Sequence, residues 1–172
     1  VYYIEITAPP SPQSVKVGEE AEFEIIARGN PSILNYQWKK GNIEVGNNSS
    51  TYTISKADIR DNGIGISCIV SNGKAEPVTS NSVKLSVEDK LPVIIGHPNN
   101  KSIEDGKSVT FSVEANGTNL QYQWQRNGYN INNNNARSKD YTFTVSSDND
   151  GKIYRCVVSN SAATKESNVA TL

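Results

Sequence analysis

The chain has 172 residues, with 17 Lys and Arg set against 18 Asp and Glu, a single His, two Cys and no Met. Cations and anions are interspersed, so the clustered basic surface of a nucleic-acid binder is absent and no nucleic-acid partner is expected. No apolar run approaches the roughly 20 residues that a membrane span requires, and the 35% apolar and 8% aromatic content suits thin β-domains whose strands keep one face wet.

Tyr2 and Tyr3 open a first strand. After the Gly18-Glu19 turn, Ala21, Phe23 and Ile25 alternate with Glu22 and Glu24, which predicts a strand with one buried and one wet face. Leu34, Tyr36 and Trp38 repeat the pattern with Gln37 pointing outward. Turns at Gly41-Asn42 and Asn62-Gly63 then lead to "ISCIVSN" at Ile66–Asn72. The whole series recurs: Pro10 and Pro98, Gly18 and Gly106, Phe23 and Phe111, Gly63 and Gly151, and Cys68 and Cys156 are each 88 positions apart. "YQWKKG" and "YQWQRNG" are 86 apart, which places a two-residue insertion in the loop "RGNPSIL" of the first copy. In the second copy Val109, Phe111 and Val113 alternate with polar residues, as do Leu120, Tyr122 and Trp124 around Gln121 and Gln123. No long helical period competes. The duplication predicts one domain over residues 1–88, a short linker over 89–91 and a second domain over 92–172, with Pro92 stiffening the joint.

The Gly-Glu or Gly-Lys turn, the alternating strand, the Trp of the next strand and "DNDGKIYRCVVSN" together resemble the intermediate-set immunoglobulin-like domain, in two tandem copies covering essentially the whole chain. The resemblance implies an all-β protein: two immunoglobulin-like β-sandwiches arranged end to end, with limited bending. In that family the cysteine of strand F pairs with one in strand B, about a dozen residues before the Trp. Those positions are Ile25 and Val113 here, so Cys68 and Cys156 lack their family partners. Each points into its own core, and a disulfide needs Cα atoms within about 7 Å. Two free, buried thiols packed against Trp38 and Trp124 are therefore expected. The structural core is expected to contain Trp38, Cys68 and Ile25 in the first domain and Trp124, Cys156, Val113 and Tyr154 in the second. Tyr154 matches the family's corner tyrosine, whose hydroxyl ties strands E and F together. Ile66 replaces it in the first domain, which is expected to be the less stable of the two.

"YQW", "VVSN" and the trailing Ser80, Asn81, Leu85 and Ser167, Asn168, Leu172 resemble modules of bacterial secreted and cell-surface proteins. The Asn-, Lys- and Ile-rich, Met-free composition agrees with that source. The disulfide-free domains of giant intracellular muscle proteins are the competing resemblance, weaker across strand G. The chain opens at Val1 and stops within a strand-like segment, so it reads as part of a longer protein with further domains.

Candidates for chemistry are few. His97, the sole histidine, lies in the turn-like "GHPNN" and cannot assemble a triad or a His-rich metal site alone. Glu19, Glu20, Glu22 and Glu24 read as a solvated face. "SDNDG" at Ser147–Gly151 lacks the 12-residue loop and closing Glu of an EF-hand, and reads as a turn capped by Asp and Asn. Sequons at Asn47, Asn48, Asn100 and Asn116 are no more than an Asn-, Ser- and Thr-rich chain produces by chance. "NINNNNARSKD" at Asn130–Asp140 reads as a long mobile connection without core contacts. Tyr129 is the candidate ligand contact, an aromatic able to stack on a sugar or a partner protein. No catalytic, cofactor or metal residues are expected. The expected function is a non-catalytic extracellular module for adhesion or spacing, with a protein or carbohydrate ligand. Two alternatives stand beside it: a carbohydrate- or substrate-associating accessory of a secreted enzyme, and intracellular muscle-type filament domains.

Overall fold

The computed structural model describes residues 1–172, which form two compact units, Val1–Glu88 and Asp89–Leu172. In the first, the strands are β1 (Tyr3–Ala8), β2 (Gln13–Lys16), β3 (Ala21–Glu24), β4 (Ile26–Asn30), β5 (Asn35–Lys40), β6 (Ile43–Val45), β7 (Thr51–Ile54), β8 (Gly65–Ser71), β9 (Val78–Thr79) and β10 (Val83–Glu88). In the second they are β11 (Val93–Gly96), β12 (Ser108–Ser112), β13 (Glu114–Asn116), β14 (Gln121–Arg126), β15 (Tyr129–Asn130), β16 (Asp140–Thr144), β17 (Ile153–Ser159), β18 (Thr164–Glu166) and β19 (Ala170–Thr171). Both units are all-β, as the repeat implied.

One layer of the first unit joins β1 to β4 and β3 to β7; the other runs β2-β10-β8-β5-β6, with β9 beside β8. Pro9, Pro10 and Pro12 separate β1 from β2. Lacking N–H donors, they release the chain from its antiparallel pairing with β4 so that it can cross and pair in parallel with β10. The second unit repeats the two layers, with β11-β13 and β12-β16 in one and β15-β14-β17 with β18 and β19 in the other. At the level of β2, the contact is made by Lys101 N–H donating to the Thr171 carbonyl and by Asn100 Oδ1 accepting from Thr171 N–H.

The alternation read from the sequence is realised in β3 and β12. Ala21, Phe23 and Ile25 are buried and Glu22 and Glu24 exposed, and Val109, Phe111 and Val113 are buried in turn. Ile25 and Val113 each interrupt the ladder. Their N–H groups go instead to the carbonyls of Ser50 and Lys139 on the neighbouring connection. Trp38 and Trp124 are fully buried, and each indole N–H donates 2.9 Å to a loop carbonyl, that of Ser49 or Ser138.

Cys68 and Cys156 are free, buried and opposite those tryptophans in register. Burial pushes their thiols up to about 11 and about 12, leaving them protonated and unreactive.

The corner tyrosine takes a modified form. Tyr154 Oη accepts 3.3 Å from Asn149 Nδ2, a side chain that also binds Ser146 N–H and Oγ–H through its Oδ1. In the first unit Ile66 is apolar and wholly buried, and the same corner is held by an ion pair, Lys40 Nζ to Asp61 Oδ1 at 2.6 Å.

Two further pins were not assigned from the sequence. Asn72 Nδ2 donates to the Tyr3 and Pro31 carbonyls while its Oδ1 accepts from Lys74 and Ala75 N–H. Asn160 does the same with Lys90, Thr118, Ala162 and Ala163. Where the last strand breaks, Ser80 and Ser167 are buried, accept from the N–H of Cys68 and Cys156, and donate to the next carbonyl. Asp89 belongs to the second unit. It is only 2% exposed and accepts from Thr118 Oγ1, Asn119 Nδ2 and Ser161 Oγ at 2.6–2.8 Å.

Candidate functional site

The second unit carries a groove of about 660 Å³ between the β14–β15 hairpin, the connection that follows it and the corner before β17. Its position follows from local sequence. Asn127 and Gly128 both adopt positive φ, 51° and 85°, the two-residue turn that Asn-Gly favours because its twist matches that of the strands. Asn127 also fastens the hairpin to β17, donating from N–H to the Ile153 carbonyl and accepting Ile153 N–H on Oδ1. This register sets Tyr129 directly opposite Arg126.

Tyr129, the one ligand contact expected from the sequence, lies on this groove with 80% of its surface exposed. The connection beyond it differs from the mobile, coreless loop expected. Asn133 Oδ1 accepts Ala136 N–H to cap a short 3-10 turn at Asn134–Arg137, Ala136 is fully buried in the core cluster, and the Ser138 carbonyl receives the Trp124 indole. Four consecutive asparagines concealed this, because the apolar anchors are only Ile131 and the methyl group of Ala136 and the Asn133 cap is a local side-chain to backbone bond. Asn130, Asn132 and Asn133 thus line the groove from an ordered wall.

Of the charged members of the site, sequence reasoning met Asp148 only within the "SDNDG" turn and did not single out Arg126 or Lys152. The signal was available by aligning the copies. Lys40 of the first unit corresponds to Arg126, and its partner Asp61 corresponds to the neutral Asn149. Neither Arg126 nor Lys152 takes part in any of the chain's five ion pairs. Burial raises the Tyr154 hydroxyl above the usual tyrosine range, and Arg126 acts against that rise. The arrangement offers an exposed ring, primary amides, one carboxylate and two cations that lie outside any ion pair.

The remaining candidates have structural positions. His97 Nδ1 accepts Asn168 N–H at 3.1 Å. Asn48 bridges Tyr36 N–H and Asn35 Oδ1, and Asn100 holds Thr171. Tyr3 begins β1, and Tyr2, just before it, is exposed.

A family model for the immunoglobulin domain matches residues 5–72 and again 92–160. Among curated proteins, the chain is 28% identical, over 96% of its length, to the muscle M-line assembly protein unc-89 of Caenorhabditis elegans. It is 29% identical over 98% of its length to the tyrosine-protein phosphatase Lar of Drosophila melanogaster, and 31% identical over 69% to Roundabout homolog 1 of Rattus norvegicus. It spans only 2%, 9% and 7% of those proteins. Among solved structures, the insect immune protein hemolin aligns with a TM-score of 0.57 at 17% identity, over 99% of this chain and 46% of that one. The titin domains z1z2, solved in complex with telethonin, align with a TM-score of 0.56 at 19% identity, over 97% and 93%. At such identities the likeness concerns the fold alone.

Proposed function

Because the chain belongs to the immunoglobulin-domain family, we propose that it is a non-catalytic recognition and spacing module of a larger extracellular protein, acting in adhesion or holding other domains apart. The observation that carries this reading is the open groove of the second unit, where Tyr129 stands exposed beside polar side chains on an ordered wall. Each unit completes its core without a disulfide, so the pair can serve as a folded spacer whatever its neighbours do. The Asn-, Lys- and Ile-rich, Met-free composition supports a bacterial secreted or surface protein as the parent, and the same groove would serve an accessory module of a secreted enzyme.

A second reading, an intracellular filament module of the muscle type, is favoured by the resemblance to unc-89 and by the two reduced thiols, which suit a reducing compartment. The two separate on one experiment. The parent protein is displayed in its own cell with residues 1–172 present, deleted, or replaced by an inert spacer of equal length, and intact cells are treated with external protease. Release of the module by protease, with attachment lost on deletion, supports the extracellular reading. Rescue by the inert spacer assigns spacing, and failure of rescue assigns recognition. Full protection from protease, or attachment indifferent to deletion, overturns it.

A further inference from the structure

The two units are copies of one design, so each position in one has a control in the other. At the end of the central hairpin the first unit is electrically closed: Lys40 is paired to Asp61 at 2.6 Å, and Arg60 is paired to Asp58 through two hydrogen bonds. The second unit departs at each of these places. Arg126 replaces Lys40 and Asn149 replaces Asp61, so the cation keeps its place and loses its carboxylate. Lys152 stands where the first unit has Ile64, which adds a second cation. Ile43 becomes Tyr129, an exposed aromatic. All three changes face one groove.

Resting on the recognition reading above, we propose that this groove binds a saccharide bearing a carboxylate, of the uronic-acid kind. The carboxylate lies between Arg126 and Lys152, which supply charge-assisted N–H donors. The ring of Tyr129 covers the apolar face of the sugar. The free amide groups of the wall meet the hydroxyls: Asn133 uses its Oδ1 for Ala136 N–H, and Asn130 accepts from Gln125 Nε2, so both retain N–H donors. Asp148, the one acid lining the groove, accepts from a sugar hydroxyl and repels a compact multivalent anion, which separates this ligand from inorganic phosphate or sulfate. A peptide would require apolar subsites that a wall of asparagines does not provide.

The test is a titration of the intact chain, followed by backbone amide NMR, with a glucuronate-terminated disaccharide, its glucose-terminated counterpart and inorganic sulfate. The expected result is saturable shifts confined to the hairpin, the asparagine wall and Lys152, with the neutral sugar at least about tenfold weaker, as loss of a charge-assisted contact implies. Tyr129→Ala, at an exposed position, and Lys152→Gln, at a half-buried one outside the core cluster, are each expected to weaken binding about tenfold. Arg126→Gln is expected to do the same, and its spectrum reports whether the neighbouring Tyr154 corner is intact. Absence of shifts in the folded wild type, equal binding of the neutral sugar, or equal displacement by sulfate overturns the proposal. If no sugar binds while deletion of the module still abolishes attachment, this inference alone fails. If attachment is indifferent to the module, the recognition reading fails with it.

Discussion

Ile25→Cys should install the cross-link that the first unit lacks. Ile25 and Cys68 are both almost wholly buried in one core cluster, on opposite layers. A bond between them closes a ring of 43 residues, from 68 − 25. In the chain-entropy model, a ring of that size removes about 13 cal/mol/K from the unfolded state, or about 4 kcal/mol at 25 °C. Against this, shortening Ile to Cys removes about two buried carbons, at about 0.8 kcal/mol each before any cavity cost. The oxidised variant should therefore gain about 2 kcal/mol and the reduced variant lose about 2. For a unit of this size that is a midpoint roughly 10 °C above or below the wild type. Val113→Cys makes a ring of the same 43 residues with Cys156 and sacrifices less side chain, so its oxidised gain should be the larger, near 3 kcal/mol. Thermal and urea unfolding with and without reductant, with mass spectrometry confirming the bond, provide the measurement. An oxidised variant that keeps its thiols alkylatable, or that is less stable than the wild type, would refute the assignment of Ile25 as the position facing Cys68.

The native thiols should be silent: at pH 8 the folded chain is expected to resist iodoacetamide and to yield two reactive cysteines only in denaturant. Rapid labelling of either in the native state would contradict the burial that pushes them up to about 11 and about 12. Tyr154→Phe should cost the second unit about 1–2 kcal/mol by leaving the buried Asn149 amide without its acceptor, and a melt unchanged from wild type would show that this contact contributes nothing. Asp89 is held below the usual carboxylate range first by the Ser161 hydroxyl, then by Thr118 and Asn119, against the cost of burial. A depressed folded value means stabilisation present above the unfolded value near 3.8 and lost as the pH falls through the folded one. Asp89→Asn should therefore flatten the acid limb of the second unit's unfolding curve, and an unaltered acid limb would show that other carboxylates govern it.

What the sequence discloses here follows the length scale of the signal. Ala21, Phe23 and Ile25 announce a half-buried strand because the period of two is written into neighbouring residues, and the copy 88 positions later repeats it. The two cysteines without partners were equally legible, since Ile25 and Val113 occupy the places where partners would stand. The asparagine wall was not legible. Its order depends on Asn133 capping a turn and on Ile131 and Ala136 meeting the core, and two apolar residues among so many asparagines leave the segment polar in appearance. Asn72 and Asn160 show the same limit from the other side. "VSN" was visible as a repeated word, but the carbonyls it pins, those of Tyr3 and Pro31 or Lys90 and Thr118, come together only once the sandwich is closed.

A duplicated chain also reveals which parts of it are free to change. The Trp, the buried Ser and the Asn pin are identical in the two units because each satisfies a group that closing the sandwich would otherwise strand, and the thiol repeats as a buried filler opposite each Trp. The corner behind the central hairpin obeys no such constraint. In the first unit an ion pair ties the hairpin to that corner. The second has the Tyr154–Asn149 contact there and leaves Arg126 without a carboxylate partner. Arg126 acts on the Tyr154 hydroxyl yet remains exposed, and it lines the same groove as Lys152 and the exposed Tyr129 ring, an arrangement open to a task outside the fold. An exposed ring and two cations outside any ion pair meet on one groove of the second unit, where the first has Ile43, Ile64 and the paired Lys40, which is why the second unit is the one to titrate first.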